Sequence, residues 1–214
     1  MLFFSLMCGA IGFSQNDFTV FFEPEISIDY AVANRYSHSF SMENRNYIYK
    51  NNRFNFEGKQ LEIVHFSIYE YNPGRSFGLG IQYRFKQTFK KTEEDELRLM
   101  QQYTWTHKNS NFKLKNRLRN EQRFYHSKTK YRLRYELGFT FYLYETPSYF
   151  KAETETLIAW SKLRKPEFEE RITSVFGWQF QNYNLEVGAQ YRLSDFTQEI
   201  GHELFFVTGL NISL

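Results

Sequence analysis

The sequence has little cysteine, proline or glycine and no long apolar run. Its 214 residues include one cysteine, four prolines and eleven glycines. One cysteine excludes an intrachain disulfide scaffold. The one uncharged apolar stretch, within residues 1–15, is too short for a transmembrane helix. The net charge of +3 is small and spread along the chain, so we expect no nucleic-acid partner.

Aromatic and charged residues are abundant instead, at 20% and 24% of the chain. After residue 17, apolar and polar residues alternate almost everywhere, and helical spacing is nearly absent. Eleven alternating segments can be counted, most of them about 10 to 14 residues long. Ordinary strands average about 5 to 6 residues, whereas tilted strands that cross a bilayer need about 9 to 11. The segment length therefore favours membrane-crossing strands.

The connections between these segments alternate between short turns and longer polar loops, which is the layout of an outer-membrane barrel. We therefore predict an all-β fold, a single up-and-down antiparallel transmembrane β-barrel located in the outer membrane. Bacterial barrels have an even number of strands. We accordingly expect about 12 strands, with 10 as the alternative, and place the additional strand between Tyr47 and Phe56.

The two ends of the sequence predict export and membrane assembly. Residues 1–14 resemble a signal peptide, although no Lys or Arg precedes the apolar run, and residues 15–214 then form the barrel. The segment Gly209–Leu214 resembles the terminal signal of outer-membrane barrels. The expected partners are therefore outer-membrane lipid and the barrel-assembly machinery, with the protein itself a monomer.

Since no Cys pair or His/carboxylate cluster has the spacing of metal ligands, we expect no metal and no cofactor.

A ladder of charges on one face of two consecutive segments is the strongest candidate site. It comprises Lys113, Lys115, Arg117, Arg119, Glu121 and Arg123, followed by Arg132, Arg134 and Glu136. A hairpin turning near Ser127 predicts these cross-strand pairs: Arg123–Arg132, Glu121–Arg134 and Arg119–Glu136. The ladder is either a structural network that fills the lumen or a basic constriction that selects anions. We expect a non-enzymatic barrel, either a narrow channel or a binder of small anionic ligands.

An enzyme is the first alternative, because His65 and Ser67 are two residues apart on a predicted strand and share one face. Hydrolysis of lipid acyl chains by this pair requires that both side chains face lipid. Val64, Phe66 and Ile68 look like the lipid face, which turns His65 and Ser67 inward and disfavours a lipid hydrolase.

A periplasmic lipid carrier is the second alternative, with the aromatic face of the sheet pointing into the barrel.

Gly78 and Gly80 alternate on a predicted inner face, where they leave room for long neighbouring side chains.

The middle of the chain also carries a motif pair, R-x-R-x-E-x-R within Asn116–Phe124 and R-L-R-Y at Arg132–Tyr135. Together with Glu96–Gln102 before it and Gly177–Gly188 after it, this pair resembles the domain of unknown function 2490 family. The resemblance covers most of residues 18–214. It implies an outer-membrane β-barrel of unassigned activity, without catalytic residues to transfer.

Overall fold

The computed structural model describes residues 18–162, 165–194 and 200–214. Within these residues the chain forms eleven β-strands. In the described part, no helix is long and apolar enough to cross a bilayer. The predicted signal peptide, residues 1–14, lies outside the described residues. The strands are β1 (Thr19–Ala33), β2 (Tyr36–Lys50), β3 (Arg53–Asn72), β4 (Arg75–Phe85), β5 (Glu96–Lys108), β6 (Phe112–Phe124), β7 (Thr129–Tyr142), β8 (Ser148–Ser161), β9 (Glu167–Gln179), β10 (Tyr183–Ser194) and β11 (Gly201–Ser213).

The strands form one closed barrel in which each strand pairs with its neighbours in sequence and β1 closes against β11. The prediction of a single all-β barrel is confirmed. The count of eleven lies between the predicted 12 and the alternative of 10, and it matches the eleven alternating segments. Consecutive strands alternate in direction, so the first and eleventh run the same way. The closing β1–β11 pair is therefore parallel, unlike the expected antiparallel pairing.

The hairpin of β2 and β3 occupies the region in which an additional strand was expected. Its two strands continue to a two-residue turn at Asn51 and Asn52, whose φ angles are 51° and 59°. Two consecutive residues with positive φ suit the type I′ turn, whose twist matches that of an antiparallel hairpin. The segment Tyr47–Phe56 thus contains the end of one strand and the start of the next, and the prediction of a further strand there is wrong.

The two rims of the barrel differ in their connections. The long-loop rim carries the connections after β2, β4, β6, β8 and β10, among them residues 86–95. The short-turn rim carries the others, including residues 34–35, 73–74 and 109–111. β1 begins at the long-loop rim and β11 ends at the short-turn rim.

The two faces of the barrel wall have opposite polarity. Large apolar side chains such as Leu79, which is 66% exposed, cover the outer face. Charged side chains such as Glu96, Arg98 and Glu121 are buried on the inner face. A soluble globular protein has the reverse distribution, because its apolar side chains are buried. The charged interior also contradicts the aromatic interior on which the lipid-carrier alternative depends.

Candidate functional site

All nine residues of the predicted charge ladder lie on the inner face of β6 and β7, because successive side chains of a strand point to opposite faces. They are Lys113, Lys115, Arg117, Arg119, Glu121, Arg123, Arg132, Arg134 and Glu136.

The register between β6 and β7 differs from the prediction by two residues. β6 ends at Phe124, and the N–H of Tyr125 donates to the carbonyl of Lys128 at 2.9 Å, which centres the turn between His126 and Ser127, one residue earlier than the predicted pairs require. A shift of two residues leaves every side chain on its predicted face. The observed pairs are Arg123–Lys130, Glu121–Arg132, Arg119–Arg134 and Arg117–Glu136.

Glu121 is the most heavily contacted carboxylate of the ladder and has no exposed surface. Its oxygens lie 2.7 Å from Arg132, 2.9 Å from Arg134 and 3.5 Å from Arg98. The predicted contact with Arg134 therefore exists, as a diagonal contact. Three guanidinium groups converge on one buried carboxylate. Their positive charges offset the free-energy cost of burying its negative charge.

Glu96 on β5 has the same role one strand away. Its carboxylate lies 2.6 Å from Arg123, 2.7 Å from Arg98 and 3.3 Å from Arg84, and it accepts a hydrogen bond from the hydroxyl of Tyr125 at 2.8 Å. Because Arg98 contacts both Glu96 and Glu121, the two carboxylates belong to one network.

This network, the main ion-pair network, runs continuously across the inner faces of β3 to β9. Its members, in strand order from β3 to β9, are Glu62, Arg84, Glu96, Arg98, Lys115, Arg117, Glu121, Arg123, Arg132, Arg134, Glu136, Glu155, Glu169 and Arg171.

A second group of charges, the seam cluster, lies where the barrel closes. Glu23 on β1 pairs with Arg45 on β2 and, at 3.1 Å, with Arg192 on β10. Both cations also contact the ring of Phe205 on β11, whose centroid lies 4.9 Å from Cζ of Arg45 and 3.7 Å from Cζ of Arg192. Phe21 stacks on Phe205 with 4.7 Å between ring centroids. All four strands at the closure therefore meet in one cluster.

A cavity of about 810 Å³ follows the lumen. β1 and β6 are five strands apart in a ring of eleven and therefore face each other across it. The lining residues of β6 form a basic wall, and those of β1 and β2 form a wall of carboxylates and hydroxyls. The basic wall consists of Lys113, Lys115, Arg117 and Arg119, and the opposite wall includes Glu25, Asp29, Ser39 and Ser41.

Two cations of the basic wall differ from the others in their partners. Lys115 lies 3.1 Å from Glu136, and Arg117 also pairs with that carboxylate. Arg119 instead donates two hydrogen bonds, of 2.7 and 3.1 Å, to Oε1 of Gln102. Among the described residues, neither Arg119 nor Lys113 has a carboxylate within 4.0 Å.

His65 and Ser67 point out of the barrel, so the prediction that they face inward is wrong. Val64, Phe66 and Ile68 line the lumen instead. On the outer face, Nδ1 of His38 lies 2.9 Å from Nε2 of His65 and 3.2 Å from Oγ of Ser67.

The physical reason for this orientation is the packing inside β3 and β4. A Cβ atom on Gly80 would lie 2.6 Å from Cζ of Phe66, so the glycine provides the space that this ring occupies. Likewise, a Cβ on Gly78 would lie 2.8 Å from Cγ of Gln102. The predicted role of the two glycines is confirmed. Glu62, on the same face as Phe66, is held inside by Arg84 at 2.6 Å.

The acidic residues 93–96 of the long-loop rim do not converge on a common point. Asp95 accepts backbone hydrogen bonds from Lys86 and Gln87 at 2.7 and 2.9 Å. Glu94 accepts a hydrogen bond from Oγ of Ser127 at 2.8 Å, which lowers the pKa of Glu94. Within the described residues, no group of three or more His, Cys, Asp or Glu side chains is arranged to hold a metal ion.

The lumen residues that other strands contribute were not predicted from the sequence. Glu96 and Glu155 pair with arginines of the ladder, but each lies in a different segment of the sequence. The alternation within a segment predicts which face a residue occupies, not which residue it contacts on another strand. His38 was missed for the same reason, since its contacts with His65 and Ser67 depend on the pairing of β2 with β3.

The comparisons with known proteins agree with the family resemblance of the sequence. No curated protein gives a significant match to the chain. The family model described as protein of unknown function (DUF2490) matches residues 24–203. This range spans most of the barrel, from β1 to the beginning of β11. The chain therefore belongs to the DUF2490 family.

Proposed function

We propose that the protein is an outer-membrane β-barrel whose lumen binds small anions at the basic wall of β6. The polarity of the wall supports a membrane location, since the outer face is apolar and the inner face is charged. The strand lengths agree with it, since the strands have 11 to 20 residues. Strands of this length are sufficient to cross a bilayer at the usual tilt.

The shape of the cavity indicates where a solute enters. Asp29, Thr106 and Lys113 line it close to the short-turn rim. Toward the long-loop rim, Glu169, Arg192 and Glu203 line the same cavity. The basic wall begins at Lys113, the second residue of β6, so the short-turn rim is the nearer entrance for a small solute.

The observation that carries the proposal is the absence of a carboxylate partner for Arg119 and Lys113 among the described residues. Arg119 is bound to the amide oxygen of Gln102 and lies over the ring of Phe66, with 4.8 Å from Cζ to the centroid. A guanidinium group binds carboxylate, phosphate or sulfate oxygens through paired N–H donors. An anion in the cavity supplies the negative charge that no carboxylate among the described residues provides to these two cations, because the amide oxygen of Gln102 is neutral. Glu25 and Ser41 on the opposite wall favour a solute whose other end carries hydroxyl or ammonium groups.

Titration calorimetry with inorganic phosphate tests the site on the barrel folded in detergent micelles. We expect wild type to bind and the Lys113→Gln/Arg119→Gln double variant to bind at least about tenfold more weakly, because each charge-assisted hydrogen bond contributes about 1.5–3 kcal/mol. Lys90→Gln/Lys91→Gln is the matched control, since it removes the same two positive charges from an exposed loop. Equal affinity of the double variant and the control, or no binding to wild type, contradicts the proposal.

The membrane location has its own test. We expect the expressed protein in the outer-membrane fraction, with a gel mobility that changes when the sample is heated. Recovery in the soluble fraction, without that change in mobility, contradicts it.

A further inference from the structure

Three polar side chains interrupt the apolar outer surface of the barrel near the short-turn rim. His38 lies on β2, and His65 and Ser67 lie on the neighbouring strand β3. We call these three residues the His–Ser cluster. All three are half-buried, and the side chains beside them on the same face, Phe40 and Leu79, are exposed and apolar. The cluster is thus a polar patch within an apolar surface.

The distances in the cluster suit proton transfer from the serine. Oγ of Ser67 lies 3.2 Å from Nδ1 of His38, within reach of a hydrogen bond. Nε2 of His65 lies 2.9 Å from the same nitrogen, so the second imidazole can exchange a proton with the first. A hydroxyl beside a histidine that is itself oriented by a third group is the arrangement of an activated nucleophile.

Neighbouring rings fix the orientation of the base. The imidazole of His38 stacks on that of His65 with 5.0 Å between centroids and an interplanar angle of 24°. Tyr36 packs edge-on against His38 at 5.0 Å, and Tyr30 lies 5.4 Å from it. A base that is held on three sides keeps its nitrogen near the serine without a loss of conformational entropy during the reaction.

We propose that the His–Ser cluster hydrolyses acyl esters of membrane lipids. Oγ of Ser67 forms a bond to the ester carbonyl carbon, and Nδ1 of His38 takes the hydroxyl proton. The carbon–oxygen bond to the lipid alcohol breaks as His38 gives that proton to the leaving oxygen. Water then attacks the acyl-serine, His38 takes and returns a proton in the same way, and a free fatty acid and Ser67 are released.

The position of the His–Ser cluster gives access to both reactants, the lipid ester and water. Leu79 and Ile81 on β4, beside Ser67 and His65, are 66% and 46% exposed and can contact acyl chains. The cluster begins two residues from the start of β2 at Tyr36, so water at the rim reaches it. This inference rests on the proposed membrane location but not on anion binding in the lumen, because the cluster lies on the opposite face of the wall.

Release of fatty acid from a diacyl phospholipid in mixed micelles, measured by mass spectrometry, is the direct test. We expect Ser67→Ala to abolish release and His38→Gln to reduce its rate at least about 100-fold, the usual contribution of a general base. His65→Gln tests a positioning residue, and we expect it to lower kcat while leaving KM unchanged. Ser174→Ala is the matched control, because Ser174 lies exposed on β9 and its cross-strand neighbours are Ala152 and Ala189.

A covalent probe tests the reactivity of Ser67 without requiring that the correct lipid substrate be known. A long-chain alkyl fluorophosphonate should modify Ser67 of the folded wild-type barrel, modify it much more slowly in His38→Gln, and leave Ser174 unmodified. If folded wild type neither releases fatty acid nor reacts at Ser67, the inference is wrong. Phosphate binding without hydrolysis rejects this inference alone, whereas recovery of the protein in the soluble fraction rejects the membrane location on which both proposals depend.

Discussion

At the scale of single residues, the lumen is organised around buried carboxylates that each contact two or more guanidinium groups. Glu121, Glu96 and Glu155 are all of this kind. A buried ion pair contributes little net stability compared with an apolar pair of the same volume. Removal of one partner has a much larger effect, because the remaining charges stay buried without compensation. The network therefore makes the barrel sensitive to single substitutions inside the lumen.

Glu121→Gln is the sharpest test of this sensitivity. The substitution leaves Arg98, Arg132 and Arg134 around a neutral amide, and we expect the free energy of unfolding to fall by about 3–5 kcal/mol. Urea unfolding of the barrel in detergent micelles measures it. Glu57→Gln, on an exposed part of β3, should change stability by less than about 0.5 kcal/mol. Similar small effects of both substitutions would show that the network is not compensating buried charge.

At the scale of elements, β6 and β3 explain why prediction succeeded for one strand and failed for another. The inner face of β6 is charged along its whole length, so alternation placed its ladder inside even though Asn116, Asn120 and Gln122 interrupt the apolar outer face. The inner face of β3 changes from Gln60 and Glu62 to Val64, Phe66 and Ile68, while His65 and Ser67 interrupt the apolar and aromatic residues of its outer face. A short window around Ser67 therefore indicates the wrong face. Continuing the alternation from Glu62 would have given the right one.

Strand register and contacts between strands could not be predicted from the sequence, for a different physical reason. Register depends on turn geometry, and moving the centre of the turn after β6 by one residue changes the pairing of β6 with β7 by two residues. The pairing of Glu96 with Arg123 depends in turn on the register of β5 with β6. Alternation specifies which face a residue occupies, but not which residues meet on that face.

The glycines of β4 lead to a prediction at the same scale. Gly80→Ala places a methyl group against the ring of Phe66, which in turn supports the guanidinium of Arg119. We expect a loss of about 1–3 kcal/mol of stability, as for other over-packed sites. In the double variant Gly80→Ala/Phe66→Leu, the smaller side chain should recover part of that loss.

Gly209→Ala is the control in the same unfolding assay. A Cβ there would lie 3.5 Å from its nearest neighbour, Cβ of Glu186, which is ordinary van der Waals contact. Equal losses for Gly80→Ala and Gly209→Ala would contradict the packing argument.

At the scale of the whole molecule, closure depends on the seam cluster. Phe205 has no exposed surface and contacts two arginines, while the adjacent Phe206 is 48% exposed on the outer face. These two phenylalanines offer a matched pair of substitutions on one strand. We expect Phe205→Ala to lower the free energy of unfolding by about 3–5 kcal/mol, as large-to-small substitutions in a core do.

Hydrogen exchange locates that effect. In Phe205→Ala, the amides of β1 and β11 should exchange faster than those of β5 to β7, because the opening starts at the seam. Phe206→Ala should leave this order unchanged. Uniform acceleration around the barrel in Phe205→Ala would show that the cluster does not hold the closure in particular.

The parallel pairing of β1 with β11 also constrains how the barrel forms. Each of the other pairs joins strands that are consecutive in sequence, so it can form as soon as the second strand is available. The closing pair joins Thr19 to Glu203, and the chain between these residues must be in place first. Contacts of such sequence separation form slowly, because the entropy of loop closure is lost before they stabilise the chain. Until that last step, an open curved sheet exposes two unpaired edges, and the rate of closure determines how long those edges are open to other chains.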